Sequence, residues 1–405
     1  MKSARPNPWL NRFALLTALA TLGLIGLGGL VTSKEAGMSV PDWPTSYGYN
    51  MFALPFKFWS GGVFYEHTHR LWASTVGLLV VVLVRWLGGG AARRPLLIVG
   101  AAEILAGIGI FVFFPGLKAT GHFLTGIGGV VFLAGLVWVK SEAASRTLVK
   151  LGWAAFWLVQ FQGLLGGLRV VLFRDQIGIL HAALAQIFFV LTGVIALFTS
   201  RWWRERENFS PTPEIPRSLR RHLHFTTGLI FIQLLLGATM RHQHAGLAIR
   251  DFPLAYGKLW PATDPAALAT YNQARLEITN VNPITAFQIQ LQMVHRLAAL
   301  LILAAVGFCA WQARRTASLR LLTLGWLGLI LGQVALGAAT VLTDKAADLA
   351  TAHVLVGALS LATGAMLCII SARQPGKSAR ATGIVPAGEL NSRDQISFAA
   401  RTSAP

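Results

Sequence analysis

Residues 36–48 read AGMSVPDWPTSYG, and residues 245–257 read AGLAIRDFPLAYG. Both segments place an acid, an aromatic residue and a proline between an opening Ala-Gly and a closing Tyr-Gly. A histidine–arginine pair follows each of them, in EHTHRLWAS at 66–74 and in QMVHRLAAL at 292–300. Landmarks that recur in one order indicate an internal repeat.

The repeat continues toward the end of each half of the chain. QGLLGGLRVV at 162–171 is followed by LHAALAQ at 180–186, just as QVALGAATVL at 333–342 is followed by AHVLVGALS at 352–360. We therefore predict two homologous four-helix units fused in tandem. An even number of spans in each unit gives both the same orientation in a membrane.

The composition excludes a soluble globular protein. Only 13% of the 405 residues are charged, 54% are hydrophobic and the mean hydropathy is +0.57, whereas soluble domains are about 25% charged. Cys309 and Cys368 both lie in apolar runs, so we expect neither a disulfide framework nor a Cys-rich metal site. We predict an all-α polytopic membrane protein with two tandem pseudo-symmetric four-helix bundles, an extra helix pair and about ten transmembrane helices. The apolar runs that are long enough to cross about 30 Å of hydrocarbon cover 13–32, 69–88, 96–114, 120–139, 149–171, 177–199, 222–241, 288–311, 319–342 and 349–371.

The repeat and the apolar runs divide the chain into four parts. The N-terminal bundle occupies 10–199 and includes an inserted helix pair at 96–139, which the second half lacks. A cytoplasmic linker at 200–219 leads to the C-terminal bundle at 220–371. The remaining residues, 372–405, are rich in Ser, Ala, Arg, Gly and Pro, and we expect them to form a disordered cytoplasmic tail.

The charge pattern predicts the topology. Lys and Arg number 35 against 16 Asp and Glu, a net charge of +19, but the basic residues lie in short segments between apolar runs. They concentrate in alternate segments, so the positive-inside rule places both termini in the cytoplasm. We expect a multi-pass protein of the cell inner (plasma) membrane, surrounded by lipid. No nucleic-acid-binding architecture accompanies the basic residues, so nucleic acid is not an expected partner.

Four histidines occupy equivalent positions in the two halves: His69, His181, His295 and His353. The topology places the two histidines of each half at a similar depth. Two imidazoles that face each other across a four-helix bundle can bind a haem iron from both sides, and the bundle core can hold the macrocycle. Zinc fits less well, because each half offers two such ligands and no supporting cysteine. The alternative for each histidine is a hydrogen-bonded packing role.

Arg70 and Arg296 directly follow the first histidine of each half, near the outer interface. One interpretation is that each pairs with haem propionates and so positions the macrocycle. The alternative is an arginine at a helix end that extends to the lipid headgroups. Occurrence in both halves favours the first interpretation.

The repeated loops carry one aromatic candidate each. PDWP at 41–44 and DFP at 251–253 combine an acid, an aromatic ring and a rigid proline. We predict that they fold as lids over the haem mouths, with Trp43 and Phe252 contacting the edge of the macrocycle. The alternative is an aromatic belt at the membrane interface.

The two halves differ at one informative position. Glu66 stands three residues before His69, whereas Gln292 occupies the equivalent place before His295. This spacing puts each on the same helix face as its histidine, and a carboxylate beside an iron ligand could exchange protons during a reaction. We therefore assign the reaction to the first half and an electron-transfer or structural haem to the second. The alternative is that Glu66 only forms a salt bridge with Arg70.

The other ionisable residues of the apolar runs are weaker candidates. His122 and Glu103 lie in the inserted pair, and His122 is an alternative partner for His69. His67 lies away from the helix face that carries Glu66 and His69, so we expect it off the site. Surface positions are expected for four further histidines, His222, His224, His242 and His244.

Six motifs resemble the haem A synthase family of inner-membrane proteins, and they occur in order over most of residues 10–372. The resemblance implies an all-helical oxidoreductase that converts the C8 methyl group of haem O into a formyl group, giving haem A for terminal cytochrome oxidase. The motifs are GGLVT at 28–32, the PDWP loop, the ExxHR of Glu66 to Arg70, QGLLG at 162–166 with His181, HRxAAL at 295–300 and the AH of 352–353.

The same resemblance assigns roles to the two bundles. It places a haem b in the C-terminal bundle, with His295 and His353 as iron ligands. It places the substrate haem O in the N-terminal bundle, with His69 and His181 as ligands and Glu66 as the catalytic residue. Haem O synthase and the cytochrome oxidase assembly machinery are the protein partners that it suggests, and a homo-oligomer is compatible with it.

Two features depart from the family. Many members carry a cysteine pair in the outer loops, but 33–65 and 242–287 contain none. The helix pair at 96–139 is additional to the family's usual eight spans. Two other functions stay open at this point: a bis-histidine di-haem electron carrier of the cytochrome b type, and a haem-binding assembly protein that does not oxidise haem.

Overall fold

The computed structural model describes residues 7–137, 144–209, 215–279 and 283–372. Within these ranges the regular secondary structure is helical. Nine segments of the described chain are long and apolar enough to cross a membrane, and the longest of them contains two helices. The prediction of an all-α polytopic membrane protein with about ten spanning helices is confirmed. The α-helices are α1 (Pro8–Ser33), α2 (Gly61–Gly88), α3 (Arg93–Phe113), α4 (Lys118–Leu136), α5 (Arg146–Leu172), α6 (Asp175–Thr199), α7 (Arg201–Phe209), α8 (Arg217–His242), α9 (Pro265–Thr279), α10 (Ala286–Ala313), α11 (Ala317–Leu342) and α12 (Ala347–Ala372).

Local sequence sets the ends of several helices. The Asn7 side chain accepts hydrogen bonds from the first backbone N–H groups of α1, and Pro8 occupies a position whose N–H would have no helical partner. The chain leaves α2 at Gly89, whose φ of +51° favours glycine. Thr285 and Gln288 form a capping box at the start of α10.

Eight of the spanning helices form two four-helix rings. In the first ring, α1 and α5 each pack against both α2 and α6. In the second ring, α8 and α11 each pack against both α10 and α12. The helix pairs α2 and α6, and α10 and α12, therefore lie diagonally opposite within their rings. Buried side chains such as Phe156 and Trp326 fill the two ring cores.

The rings meet side by side through α1 and α6 of the first and α8 and α12 of the second. α1 packs against α12, and α6 packs against α8 and α12. A Cβ atom on Gly29 of α1 would lie 3.1 Å from Thr351 Cγ2 of α12, so this position permits close approach of the helices. Exchanging α1 with α8 and α6 with α12 reproduces the same packing pattern, the pseudo-twofold relation of a tandem repeat.

The inserted helices α3 and α4 form a tight hairpin outside the first ring. A Cβ atom on Gly100 would lie 2.4 Å from the backbone nitrogen of Phe132, so glycine is required for the observed backbone separation. The hairpin is attached to the ring by Arg85 of α2, which donates to the carbonyl oxygens of Ala134 at 3.1 Å and Val137 at 2.8 Å. The insertion therefore leaves the four-helix arrangement intact.

The segments before α2 and before α10 lie on one face of the molecule, which we call the loop face. On this face the ends of α8 and α1 meet, where Arg241 donates to the Gly29 carbonyl at 2.7 Å. Short helix α9 packs on the second segment, with the rings of Tyr256 and Tyr271 stacked at 3.7 Å, and burial raises the pKa of Tyr256 to about 12.

Two helices were not predicted from the sequence. They are α9 and α7, and α7 lies within the predicted linker 200–219. Both are short and carry more polar residues than the spanning helices, so hydropathy does not reveal them. The predicted disordered tail, 372–405, lies outside the described residues apart from Ala372.

Candidate functional site

The two repeated loops share one hydrogen-bonding design. The Asp42 carboxylate accepts from the backbone N–H groups of Tyr47 at 2.7 Å and Gly48 at 2.9 Å. Asp251 makes the equivalent pair of contacts in the second loop. Burial alone would raise the pKa of Asp42, but hydrogen bonds from Thr45, Gly48 and Tyr47 outweigh it and the pKa is lowered. The acid of each motif therefore closes its own loop.

Arg70 holds the first loop against α2. Its Nη1 donates to the carbonyl oxygens of Asp42 at 2.7 Å and Thr45 at 3.0 Å, and its Nη2 donates to the Val40 carbonyl at 2.9 Å. Nη2 also forms a salt bridge with Glu66 Oε1 at 2.8 Å. The sequence had suggested propionates or lipid headgroups as partners, and a loop clamp was not foreseen because it depends on the loop's backbone conformation.

Arg296 holds the second loop in the same way. Its Nη1 donates to the Leu254 carbonyl at 2.9 Å, and its Nη2 donates to the Asp251 carbonyl at 2.8 Å. Its guanidinium carbon lies 5.7 Å from the centre of the Phe252 ring. The arginine that follows the first histidine of each half therefore positions the loop above its own ring, and pairing with propionates stays a prediction for both.

Glu66 and Gln292 make the same contact with the backbone of their loops. Glu66 Oε2 accepts from the backbone N–H of Val40 at 2.9 Å, and Gln292 Oε1 accepts from that of Ile249 at 2.7 Å. Both side chains are buried, with 4% and 2% exposure respectively. The salt bridge between Glu66 and Arg70, which the sequence left as an alternative role, is present. The difference between the halves is therefore one of charge at a shared loop contact.

The four predicted ligand histidines lie on the diagonal helices of the rings. His69 of α2 and His181 of α6 belong to the first ring, and His295 of α10 and His353 of α12 belong to the second. The Nδ1 atom of each of the four is buried and has no hydrogen-bond partner among the described residues. Four imidazoles with a ring nitrogen available inside an apolar bundle fit axial ligation of haem iron.

Each histidine ring lies against a glycine of the neighbouring helix, where no side chain occupies the space beside the imidazole. A Cβ atom on the glycine would lie between 3.1 and 3.5 Å from the Cε1 atom of the histidine in every case. We call each of these glycines a cradle glycine. Their presence at all four sites fits one flat macrocycle in each ring, with both macrocycles at the same depth. The glycine–histidine pairs are Gly28 with His69, Gly166 with His181, Gly237 with His295 and Gly337 with His353.

Glutamine contacts orient the imidazoles. The Gln333 side chain of α11 lies against the His353 ring, with 3.5 Å between the two Nε2 atoms. The Gln162 side chain donates to the His181 carbonyl at 3.1 Å. Such contacts are typical of metal-binding histidines, because they fix the ring while leaving the other nitrogen available.

The glutamine contact is absent at one site. Gln233 donates to the His295 carbonyl at 2.9 Å from four residues before Gly237. The corresponding residue of α1, four residues before Gly28, is Leu24, which has no side-chain donor. The His69 carbonyl therefore lacks the glutamine donor that the His295 carbonyl has.

A multinuclear or zinc centre is not supported in the described part of the chain. No group of three or more His, Cys, Asp or Glu side chains is placed to hold a metal ion there. Structural zinc needs four protein ligands and catalytic zinc usually three, whereas a haem iron with two axial histidines needs only two. The residues therefore fit haem better than a bare metal ion.

The two predicted lid residues have different surroundings. The Trp43 ring lies on Gly167 of α5, one residue from the glycine that faces His181, and its edge meets Phe123 of α4 at 5.6 Å. Phe252 remains 39% exposed beneath Arg296. Trp43 thus connects the first loop, the first ring and the inserted hairpin.

Three secondary candidates also have defined positions. His122 is exposed in the hairpin outside the first ring, with its ring centre 4.5 Å from that of Phe111. In the same hairpin, Glu103 accepts from Gln160 Nε2 of α5 at 2.8 Å. His67 is fully buried beneath the first loop, where its Nδ1 lies 3.3 Å from Ser46 Oγ.

The surface prediction for His242 is wrong. Its side chain is only 9% exposed, because the ring packs on Gly178 of α6 where the two rings meet. Sequence reasoning missed this contact, since it depends on how the two repeats pack. His224 and His244 are exposed as predicted, whereas His222 is half-buried against Gln312 and Phe308.

The fold and the site together define a polytopic membrane protein with two histidine-lined helical rings, each covered by an arginine-clamped loop. The chain belongs to the COX15-CtaA family, described as cytochrome oxidase assembly protein, whose model matches residues 121–364, more than half of the chain. This range includes three of the four ligand histidines. His69 and Glu66 precede it.

Similarity to individual proteins extends over most of the chain. The chain is 24% identical to the human protein named Heme A synthase COX15, over 88% of this chain and 80% of that protein. It is 25% identical to the Heme A synthase of Rhodospirillum centenum, over 87% of this chain and 85% of that protein. For the Heme A synthase of Alkalihalophilus pseudofirmus the identity is 23%, over 86% of this chain and 92% of that protein. The family predicted from the sequence motifs is confirmed.

Proposed function

We propose that this protein is a haem A synthase, an oxidoreductase that converts the C8 methyl group of haem O into a formyl group. One observation carries the proposal: both rings have a diagonal histidine pair, but among the described residues only the first ring combines it with a buried carboxylate. The names of the relatives in bacteria and animals support the same activity. Haem A made in this way would serve a terminal cytochrome oxidase.

The first ring is the proposed substrate site. His69 and His181 would hold the iron of haem O between them, which fixes the depth of the macrocycle in the membrane. Glu66 lies three residues before His69, nearly one helical turn or about 4.5 Å toward the loop face. A methyl substituent on the macrocycle edge that faces the loops would therefore come close to the carboxylate.

Glu66 is the proposed catalytic residue. Conversion of a methyl into a formyl group removes four electrons, adds one oxygen atom and breaks two C–H bonds at the same carbon. It therefore needs an external oxidant, either dioxygen or an electron acceptor used together with water as the oxygen source. Glu66 would accept a proton from this carbon or stabilise positive charge that develops on it. Arg70 and the Val40 N–H hold the carboxylate in place through its two oxygens, and Gln292 offers no such charge in the second ring.

The second ring is the proposed site of a resident haem b with His295 and His353 as ligands. Both Nδ1 atoms are buried without a partner, and a glycine faces each ring, so the residues fit the group. Haem b, when bound, supplies a redox centre that takes up or releases one electron at a time. Arg296 and Phe252 keep the second loop over this ring.

The setting of the enzyme follows from its charge and chemistry. We place it in the cell inner (plasma) membrane with both termini in the cytoplasm, because basic residues concentrate in the segments away from the loop face. Haem O synthase, as the source of the substrate, and the assembly machinery of cytochrome oxidase, as the destination of the product, are the proposed partners.

Pigment analysis tests the proposed function. The protein is expressed in cells that make haem O, and its haems are extracted and separated by reversed-phase chromatography with mass detection. We expect formyl haem, accompanied by the hydroxymethyl form, together with haem b. Unchanged haem O in a protein that is folded and loaded with haem b would contradict the proposal and favour a di-haem electron carrier.

A further inference from the structure

The carboxylates of a bound haem need a cationic partner. Every haem carries two propionates on adjacent pyrroles, and both carboxylates would lie at one edge of the macrocycle. Arg70 and Arg296, the arginines next to the ligand histidines in sequence, direct their guanidinium groups at loop carbonyls. Two other arginines, Arg169 and Arg241, lie near the histidines without a protein carboxylate bound to them.

Arg169 belongs to the first ring. It lies on α5, three residues after the glycine that faces His181, and it is close enough to act electrostatically on both His69 and His181. Its Nη1 would be 2.8 Å from a Cβ atom on Gly37, at the start of the first loop. The side chain is half-buried and forms no ion pair among the described residues.

Arg241 belongs to the second ring. It lies on α8, four residues after Gly237, which faces His295, and it acts electrostatically on His353. Its Nη2 donates to the Gly29 carbonyl at 2.7 Å and to the hydroxyl group of Ser33, both on α1. It too has no ion pair in the described chain, so its charge is balanced by no carboxylate.

The two arginines lie at one depth. Spacings of three and four residues along a helix correspond to about one turn, or 5.4 Å, on the same helix face. Because α5 and α8 both run toward the loop face, each guanidinium lies one turn above its histidine layer. In the other half of the chain, Thr340 occupies the position of Arg169 and Thr32 occupies that of Arg241. Each ring therefore has one such arginine, but the two arginines lie on helices that are not equivalent in the repeat.

A half-buried guanidinium in a membrane bundle is costly unless an anion accompanies it. We propose that Arg169, rather than Arg70, binds the propionates of the substrate haem. Arg241, rather than Arg296, then binds those of the resident haem, so that both macrocycles direct their carboxylates toward the loop face. This inference rests on the proposed function for the identity of the ligands. Arg169 is then a positioning residue for the reaction.

The placement has a consequence for the reacting carbon. The C8 methyl group is attached to a pyrrole that also carries a propionate, so a haem that directs its propionates to the loop face brings this methyl to the same side. Glu66 lies one turn above His69 on that side. Arg169 thus selects the edge of haem O that meets the carboxylate.

Binding of haem b and of its dimethyl ester to the purified full-length protein tests the proposal, because esterification removes both charges and keeps the macrocycle. Wild type is expected to prefer the free acid at both sites. Arg169→Gln is expected to weaken binding of the acid about tenfold at one site only, with the diester unaffected. Arg241→Gln is expected to do the same at the other site.

Arg174→Gln is the matched control, since Arg174 is exposed at the start of α6 and should leave both preferences unchanged. Haem binding at the unaltered site shows that each variant is folded, and Arg169→Lys should recover part of the lost preference. A wild-type ratio of acid to diester binding at both sites in Arg169→Gln would overturn the proposal. This experiment measures haem binding and not haem oxidation. A protein that binds haem as expected but makes no formyl haem would therefore contradict the proposed function and leave this inference standing.

Discussion

At the residue scale, a single change of side chain distinguishes the two halves. Glu66 and Gln292 accept the same loop N–H from the same helical position, and an arginine follows each four residues later. The loop contact itself needs only an oxygen acceptor, which both residues provide. The carboxylate of Glu66 also forms a salt bridge with Arg70 through its second oxygen, so its charge has both this structural use and the catalytic use that we propose.

Glu66→Gln is expected to separate the two roles. The amide can still accept from Val40, as Gln292 does from Ile249, but it loses the buried salt bridge with Arg70. We therefore expect a lower melting temperature with haem content close to wild type. Oxidation of haem O should fall at least about 100-fold, the usual effect of losing a proton-transfer group. Turnover measured by chromatography of the extracted haems checks this.

Gln292→Glu serves as the control for charge at the same depth and should leave haem O oxidation intact. A normal yield of haem A from Glu66→Gln would show that Glu66 is a loop clamp and that another group carries the reaction.

The residues could be predicted from the sequence only where the repeat carried them. His69, His181, His295 and His353 were recognised because each has a counterpart in the other half. Arg169 and Arg241 have no such counterpart, so they did not stand out. The loop contacts of Arg70 were also missed, because backbone carbonyls that accept hydrogen bonds leave no signal in the sequence.

At the element scale, each loop is closed by its own aspartate and is tied to its ring by an arginine. The Asp42 carboxylate receives two N–H groups of its own loop, and these lower its pKa. A carboxyl with a lowered pKa in the folded state adds stability above its ordinary pKa and loses it as the pH falls through the folded value.

We expect Asp42→Asn to destabilise the first loop by about 1 kcal/mol at neutral pH, a value reduced by its partial exposure. The difference from wild type should shrink as the pH falls below the ordinary aspartate pKa, because the wild-type carboxyl then becomes protonated. Proteolysis within residues 50–60, followed at pH 7 and at a pH well below 3.8, the ordinary aspartate pKa, measures loop opening. Equal differences at both pH values would argue against a charged Asp42 in the folded loop.

The inserted hairpin offers a second test at this scale. Gly100→Leu should force α3 away from α4, because a side chain there would meet the Phe132 backbone, and destabilise the hairpin by about 1–3 kcal/mol. Gly126→Leu, at a position with nothing within 4 Å of a Cβ atom, is the control. Haem content should survive Gly100→Leu, since α3 and α4 lie outside the ring. Loss of haem together with hairpin stability would assign the insertion a direct part in the site.

At the scale of the whole molecule, the spanning helices could be predicted from apolar runs and their charged flanks. At most of their ends, the observed helices extend beyond those runs by a few residues. The pairing of the two rings through α1, α6, α8 and α12 could not, because lipid-facing and ring-facing apolar residues look alike in sequence. The burial of His242 and the crossing of Arg241 to α1 both follow from that pairing.

The proposed function divides the work between two similar rings, one for the substrate and one for a resident haem. It predicts that removing ligands from one ring should affect one haem and leave the other in place. Alanine is the substitution of choice, because it removes the imidazole and leaves the cradle glycines unchanged.

The most direct measurement is the haem content of two double variants produced with a supply of haem O. His295→Ala with His353→Ala should lose haem b while still binding haem O. His69→Ala with His181→Ala should keep haem b and contain neither haem O nor formyl haem. Formyl haem in the second variant, or equal loss of haem b from both, would contradict the assignment of the reaction to the first ring.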